Sequence, residues 1–516
     1  MTRAFLLCVC WVGASVRPAL AQCPDGTPPP CRVARVASAA PAANSVAVLY
    51  FENLGRDTAD AYLADGLTEE VTARLGQVGR LAVTSRTAVR RLRSTAATME
   101  PVALGRALGA AYLVNGSVRR AGSRLRVTVE LVRATTGARA WGDQYDRSDT
   151  DLLALQEDIA RAVATGITGR LLPAERAVIA SRPTRNPVAY DHYLRGTRTL
   201  NDVNPRSLGR AIAEYEAALR LDPGFTSARA AIALAYALAI NWNWATPEIP
   251  PETLLARGLA AAERALREDT LSSDAWLARG GLLMFERPRT FEGVLDALRR
   301  SVAIDPENER AHEWHAIALR RLGDFEAAAA SYRRASELDP SAPQAVADRG
   351  FIAFNLRRYP EAVRWYDSAS VIDPTAWQNL VFRARIRLEL GDGAGARADA
   401  HAAVRIGGAQ RLAELVAIQV DARTGDSVVA RSRLDSLLVA FAPADSIPVR
   451  DGYEIALALL ATGQRQRALD VLERTRPRGP WLWTYLLFPG FDRVRQDQRF
   501  QRVFEESRPP GAPRLP

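Results

Sequence analysis

Three places in the chain have residue types and spacing that could support chemistry. Asp65, Glu69 and Glu70 fall in one helical segment, with Asp65 and Glu69 four apart on one face. Paired carboxylates so placed could do acid–base work or hold a cation; acids early in a helix also serve as caps and dipole partners. His312 and His315 are three apart, beside Glu309 and Glu313, and could offer metal ligands. Two histidines do not close a zinc site and no H-E-x-x-H pattern occurs, so the competing reading is a packed pair. The run SVAVLYFENLG at 45–55 breaks into a turn before a helix, where an α/β enzyme would hold phosphate. It has a single Gly, no G-x-G-x-x-G and no G-K-[ST], and Glu52 would repel a phosphate, so Glu52 and Asn53 read as turn and capping residues. A G-x-S-x-G elbow is also missing. These patterns assign no catalytic residue, no metal site and no cofactor.

Charge is the stronger local signal. The chain of 516 residues carries a net charge of +10, and all 68 of its basic residues are Arg. An all-Arg, Ala-rich composition reads first as a genome-wide bias and second as selection for anionic partners. Between Thr84 and Arg133 there are ten Arg and two acids. Arg90, Arg91 and Arg93 form one candidate anion patch, and Arg119, Arg120 and Arg124 flank a hairpin turn as another. The alternative is solvated strand edges. Nucleic acid is not an expected partner, because no aromatic-interleaved basic motif accompanies the charge.

The elements that must position these residues begin behind a leader. Arg3, the apolar run Ala4–Val16 and Ala19-Leu20-Ala21 have the form of a signal peptide over 1–21, cleaved before Gln22. The expected location is periplasmic or secreted; the alternative is a lipoprotein anchored at Cys23, since Leu20-Ala21-Gln22-Cys23 is near a lipobox. Residues 22–44 read as a linker in which Cys23 and Cys31 flank a Pro/Gly turn and suit a disulfide. No later stretch offers around 20 uninterrupted apolar residues, so no transmembrane helix is expected in the mature chain.

Residues 45–172 alternate between strand and helix patterns. Ser45–Phe51 is a buried strand, Thr58–Val78 a helix striped by Leu67, Val71 and Leu75, Leu81–Ala88 a strand, and Pro101–Gly109 a short helix. Ala111–Arg119, Arg124–Arg133 and Arg139–Tyr145 read as antiparallel strands with tight turns, and Asp149–Leu171 as an amphipathic helix. The order βαβαβββα defines an α+β domain with a mixed sheet.

Past a linker at 173–189, strand signals end and a repeat begins. LDP at 221–223, IDP at 304–306, LDP at 338–340 and IDP at 372–374 recur, the last three 34 residues apart. Ala328, Tyr332 and Ala335 return one period later as Ala362, Tyr366 and Ala369, small and aromatic residues suited to close helix pairing. About eight such units fit between 190 and 480, the second with an insertion holding Trp242 and Trp244 that could be exposed anchors or fold back. Residues 481–516 read as a C-terminal cap and disordered tail.

The 34-residue register resembles the tetratricopeptide repeat family, which implies an all-α solenoid whose first helices line a concave groove. The blocks VAVLYFENLG, YLADGLTEEV, LGAAYLVNGSVRRAGSRLRVTVELVRATTGARAWGDQYDR and LLALQEDIA resemble the TolB N-terminal-domain-like unit. That resemblance implies an interaction or sensory module of the bacterial envelope, joined in relatives to repeat arrays and sometimes to cyclase, kinase or DNA-binding modules. Carried onto this chain, the repeat family's groove pattern falls on Arg310, Glu313, Arg320 and Arg321, then Gln344, Phe351, Phe354 and Asn355, then Gln378 and Arg385. Phe351 or Phe354 could be partly core. The Lys/Asn clamp of chaperone-binding relatives is not reproduced.

The resulting expectation is an exported, non-enzymatic adaptor holding a protein or peptide partner, an envelope component, in the groove. The alternatives are a signalling regulator whose α/β domain binds a ligand and, from another class, an envelope hydrolase.

Overall fold

The computed structural model describes residues 41–55, 57, 60–148, 151–201, 205–241, 251–285, 291–339, 343–408, 410–439, 446–510 and 512. The leader, Cys23, Cys31, Trp242 and Trp244 lie outside the described residues.

The α/β domain is built on β1 (Ser45–Val48), β2 (Glu52–Asn53), β3 (Ala82–Val83), β4 (Tyr112–Ala121), β5 (Arg124–Arg133) and β6 (Arg139–Ser148). The sheet order is β3-β1-β4-β5-β6; β1 runs parallel to β3 and β4, and β4, β5 and β6 form an antiparallel meander. Helices α1 (Ala61–Gly76), α2 (Arg86–Arg91), α3 (Arg93–Ala96), α4 (Pro101–Leu108) and α5 (Leu152–Thr168) surround it. Every residue of β1 is buried, and alternate side chains serve two cores: Val46 and Val48 join the α1/α5 side, Ala47 the α2/α4 side. This is why the run is apolar without alternation.

Three expectations are corrected here. Ser45–Phe51 pairs as a strand only to Val48, and Glu52 with Asn53 forms the separate short β2, parallel to Ser117 and Val118 of β4. Asn53 also accepts from the Gly55 N–H (2.9 Å), so part of the expected turn role stands. The strand expected over Leu81–Ala88 is only Ala82–Val83, because Ser85 accepts from the Ala88 N–H and starts α2. The linker expected at 173–189 contains α6 (Pro173–Ile179), where Glu175 accepts from the Leu172 N–H and pairs with Arg80 at 2.7 Å. Arg80 and that backbone bond hold the Glu175 carboxyl down to about 2.

Eight helix pairs follow among the described residues: α7 (Pro187–Asn201) with α8 (Pro205–Leu221), α9 (Thr226–Asn241) with α10 (Pro251–Glu268), α11 (Ser273–Leu283) with α12 (Glu292–Ile304), and α13 (Glu309–Arg321) with α14 (Phe325–Leu338). They continue as α15 (Pro343–Asn355) with α16 (Tyr359–Ile372), α17 (Trp377–Glu389) with α18 (Gly393–Gly407), α19 (Arg411–Thr424) with α20 (Ser427–Val439), and α21 (Val449–Ala461) with α22 (Arg465–Arg474). A two-residue ladder joins β7 (Ile447–Pro448) to β8 (Thr475–Arg476). The repeated Asp has a local job: Asp222, Asp305 and Asp373 each accept the backbone N–H two residues on, closing the turn between pairs. Ala328, Tyr332 and Ala335 are fully buried, as are Ala362, Tyr366 and Ala369.

The first pair is fused to the α/β domain. Ala189, Tyr190, Leu194, Ala218, Phe225 and Ala228 belong to the core that holds Leu67, Val71 and Ile159. At the other end, α23 (Pro480–Leu486), a 3-10 turn at Pro489–Val494 and α24 (Gln498–Ser507) are the last described elements.

Candidate functional site

The carboxylates and arginines that the sequence set apart as separate candidates are each other's partners. Asp65 on α1 is buried and binds Arg93 at 2.6 Å and Arg198 of α7 at 2.6 Å. Glu69, one helical turn on, is buried and meets Arg90 at 3.3 Å, while Glu70 pairs with Arg74 at 2.9 Å. Arg120 pairs with Asp60 at 3.1 Å and Arg124 with Asp146 at 2.6 Å; Arg119 is exposed. Of Arg91 the structure describes only the backbone, in α2. Most of the candidate anion patch is therefore spent in internal ion pairs, which removes much of the field an anionic ligand would feel.

The histidines are also engaged. His312 Nε2 lies 3.0 Å from the Pro306 carbonyl and His315 Nδ1 3.0 Å from Ser331 Oγ. Burial, with Arg299 and His312 nearby, pulls His315 down to about 4, so it is neutral at pH 7. Among the described residues no group of three or more His, Cys, Asp or Glu is placed to hold a metal ion.

The groove positions divide into two sets. Arg310, Gln344 and Gln378 lie near the starts of α13, α15 and α17; both glutamines are exposed, and Arg310 and Glu313 are half-buried. Gln344 and Gln378 stand seven residues before Phe351 and Arg385, on the same helix faces. Toward the other ends of these helices, Arg320, Arg321, Phe351, Phe354, Asn355 and Arg385 form a wall of guanidinium and aromatic groups.

That wall is covered by the chain itself. The Tyr485 ring stacks on Tyr453 of α21 at 4.1 Å, and Phe488 packs against Phe354 at 5.1 Å and Phe351 at 5.8 Å. Arg321 lies over the Trp481 ring at 4.7 Å, and Arg320 over Phe351 at 4.6 Å. Arg357 donates to the Leu487 carbonyl and to Asp492, each at 3.1 Å. The expectation that Phe351 and Phe354 offer open contact surface is corrected: they are 4% and 2% exposed and belong to the core made with Leu486 and Phe488. The segment read as an end cap reaches back to Arg321 of α13, while α24 pairs with α22 of the last repeat through Arg499 and Glu473 at 2.6 Å.

The electrostatics of the wall are uneven. Arg385 is buried and pairs with the buried Glu454 of α21, with Gln419 of α19 donating to Glu454. Burial and the neighbouring Arg320 guanidinium pull Arg321 down to about 9. Asn355 donates back to the Phe351 carbonyl at 2.9 Å. Sequence reasoning missed Glu454, Trp481, Tyr485 and Phe488. The run WLWTYLLF at 481–488 is apolar almost throughout, and nothing in it says which apolar surface it meets.

With this geometry in view, residues 315–376 match the tetratricopeptide repeat family, a stretch that spans most of α13 through α16. Within the helix-pair array, that stretch is matched as tetratricopeptide repeat. The chain is 32% identical over 231 residues to Putative adenylate cyclase 3 of Rhizobium meliloti (strain 1021), 44% of this chain and 38% of that protein. It spans well under half the length of that curated relative. Among solved structures it is similar to the type IV pilus biogenesis factor PilW (15% identity, 45% of this chain and 98% of that one, TM-score 0.37). It is also similar to Pseudomonas aeruginosa PilF (17%, 43% and 93%, TM-score 0.35) and to YrrB, described as a TPR protein with an unusual peptide-binding site (17%, 39% and 95%, TM-score 0.30). No helix among the described residues is long and apolar enough to cross a membrane.

Proposed function

We propose that this chain is an exported, non-enzymatic adaptor that holds a protein or peptide partner of the envelope in its repeat groove. The observation that carries the reading is the groove wall, where Arg320, Arg321 and Arg385 alternate with Phe351, Phe354 and Phe382 and hold a helical segment by ring stacking and cation–π contact. The exposed rim residues Gln344 and Gln378, with Arg310, supply polar contacts that set register. Residues 45–172 form a TolB N-terminal-like unit in this reading, a reading supported by the mixed sheet in which β1 runs parallel to β3 and β4 and β4–β6 form an antiparallel meander. Export rests on the leader at 1–21 and its Ala19-Leu20-Ala21 site, with lipidation of Cys23 as the alternative to a Cys23–Cys31 disulfide.

A second reading is a signalling regulator whose α/β domain takes a ligand and whose repeats pass on its state. The likeness to Putative adenylate cyclase 3 favours it. An envelope hydrolase has less behind it, since Asp65, Glu69 and Glu70 are committed to arginines.

The test is crosslinking capture from the native envelope with wild type and with an Arg310→Glu, Gln378→Glu variant. Loss of a discrete captured protein in the variant supports the adaptor. The same proteins captured at the same yield by both would overturn groove binding.

A further inference from the structure

We infer that Trp481–Phe488 is a displaceable internal ligand of the groove, and that the groove's partner is a helical peptide with the same aromatic spacing plus an acidic side chain. The inference rests on the reading that the groove holds a peptide, and it specifies which one. Trp481 and Tyr485 are spaced i, i+4 on one face of α23, and Phe488 follows in extended backbone just past the helix end. The three rings meet Arg321, Tyr453 and the Phe351/Phe354 pair in turn, whereas Trp483 points the other way onto Phe504 of α24 at 5.9 Å.

The internal segment fits the groove incompletely. A cavity of about 200 Å³ lies where Phe488–Gly490 faces Phe354, Arg385 and Leu457. Arg385, Arg423 and Arg493 line it with Glu389 and Asp492, and among the described residues Arg385 Nε and Nη1 have no hydrogen-bond partner, nor does Glu454 Oε1. Trp481 stays 43% exposed. A peptide that places a carboxylate in this cavity gains charge-assisted hydrogen bonds that Pro489 and Gly490 cannot offer. An acidic residue just after the third aromatic is therefore the distinguishing feature of the partner.

A strained residue holds the internal segment down. The turn between the helices of a pair is left-handed at Gly323, Gly391 and Gly463, with φ of 81°, 79° and 78°. In the α15/α16 pair the same turn is made by Arg357 at φ 60°, a conformation that favours glycine. Its guanidinium is the group that reaches the Leu487 carbonyl and Asp492. Local strain kept for a contact made elsewhere marks a latch rather than a turn optimised for stability.

The test is fluorescence anisotropy with a labelled synthetic peptide of residues 478–495 and the full chain. Arg357→Gly relieves the turn and opens the latch at once, so it should bind the probe about tenfold more tightly than wild type with no loss of thermal stability. A probe carrying Pro489→Glu should bind the Arg357→Gly chain more tightly still, and Arg385→Gln should erase that preference. Equal probe affinity for wild type and Arg357→Gly, or no binding to either and none to Tyr485→Ala, overturns the inference. Either result leaves capture through Arg310 and Gln378 intact as a separate question, and failure of that capture leaves the anisotropy comparison readable.

Discussion

The Tyr485 ring lies flat on the Tyr453 ring, centroids 4.1 Å apart and planes within 1°, which ties the C-terminal segment to the last repeat's first helix. Tyr485 also meets Phe351 edge-on at 6.1 Å. Replacing Tyr485 with Ala removes both contacts and leaves a void in the groove. The expected loss is about 2–4 kcal/mol, in the range of large-to-small core changes. Urea denaturation measures it, and hydrogen exchange should rise in α15 and α17.

Asp65 joins the α/β domain to the array through Arg198 and holds Arg93 from the same carboxylate. Asp65→Asn keeps the shape and removes the charge. Because both guanidiniums are more than 40% exposed, water softens the loss, which should be about 1–2 kcal/mol. Thermal melting checks the size, and faster proteolysis within 173–187 checks the place.

Gly281 and Gly76 are predicted to respond oppositely to Ala. A Cβ at Gly281 would lie 2.0 Å from the rigid Trp314 ring, so Gly281→Ala should cost about 1–3 kcal/mol by forcing α11 from α13. A Cβ at Gly76 meets nothing within 4 Å among the described residues at the end of α1, and Gly76→Ala should stabilise by up to about 1 kcal/mol. Paired denaturation curves against wild type decide both.

His315 makes stability fall with acid in a defined window. Burial pulls it down to about 4 in the folded chain, against the ordinary histidine value of 6.5 when unfolded. Between those values the unfolded chain binds a proton the folded chain refuses, so this contribution is intact above about pH 6.5 and is lost as pH falls toward 4. Partial exposure limits the loss to about 1–3 kcal/mol. His315→Gln should flatten that part of the stability–pH curve and leave the carboxylate-driven part below pH 4.

Period and alternation made most of the fold legible. The 34-residue register placed the helix pairs, and RLRVTVELVR placed β5 to the residue. Local capping defeated the reading at Leu81–Ala88, where Ser85 turns an apparent strand into α2. The site was legible only in part, because a groove pattern says which positions face inward and not what fills the space. Arg385 was singled out, but its partner Glu454 lies 69 residues on, and no spacing links them. The same holds for Asp65 and Arg198, which lie 133 apart.

Groove binding itself is tested most directly by a photocrosslinking residue placed singly at Gln344, at Gln378 and at exposed Val428 on α20, in the full chain in its native cells. Positions 344 and 378 should each give the same discrete adduct, 428 should give none of it, and Arg310→Glu should abolish it. An adduct of equal yield at 428, or none at 344 and 378 under conditions where 428 reacts, would contradict a partner held in the groove.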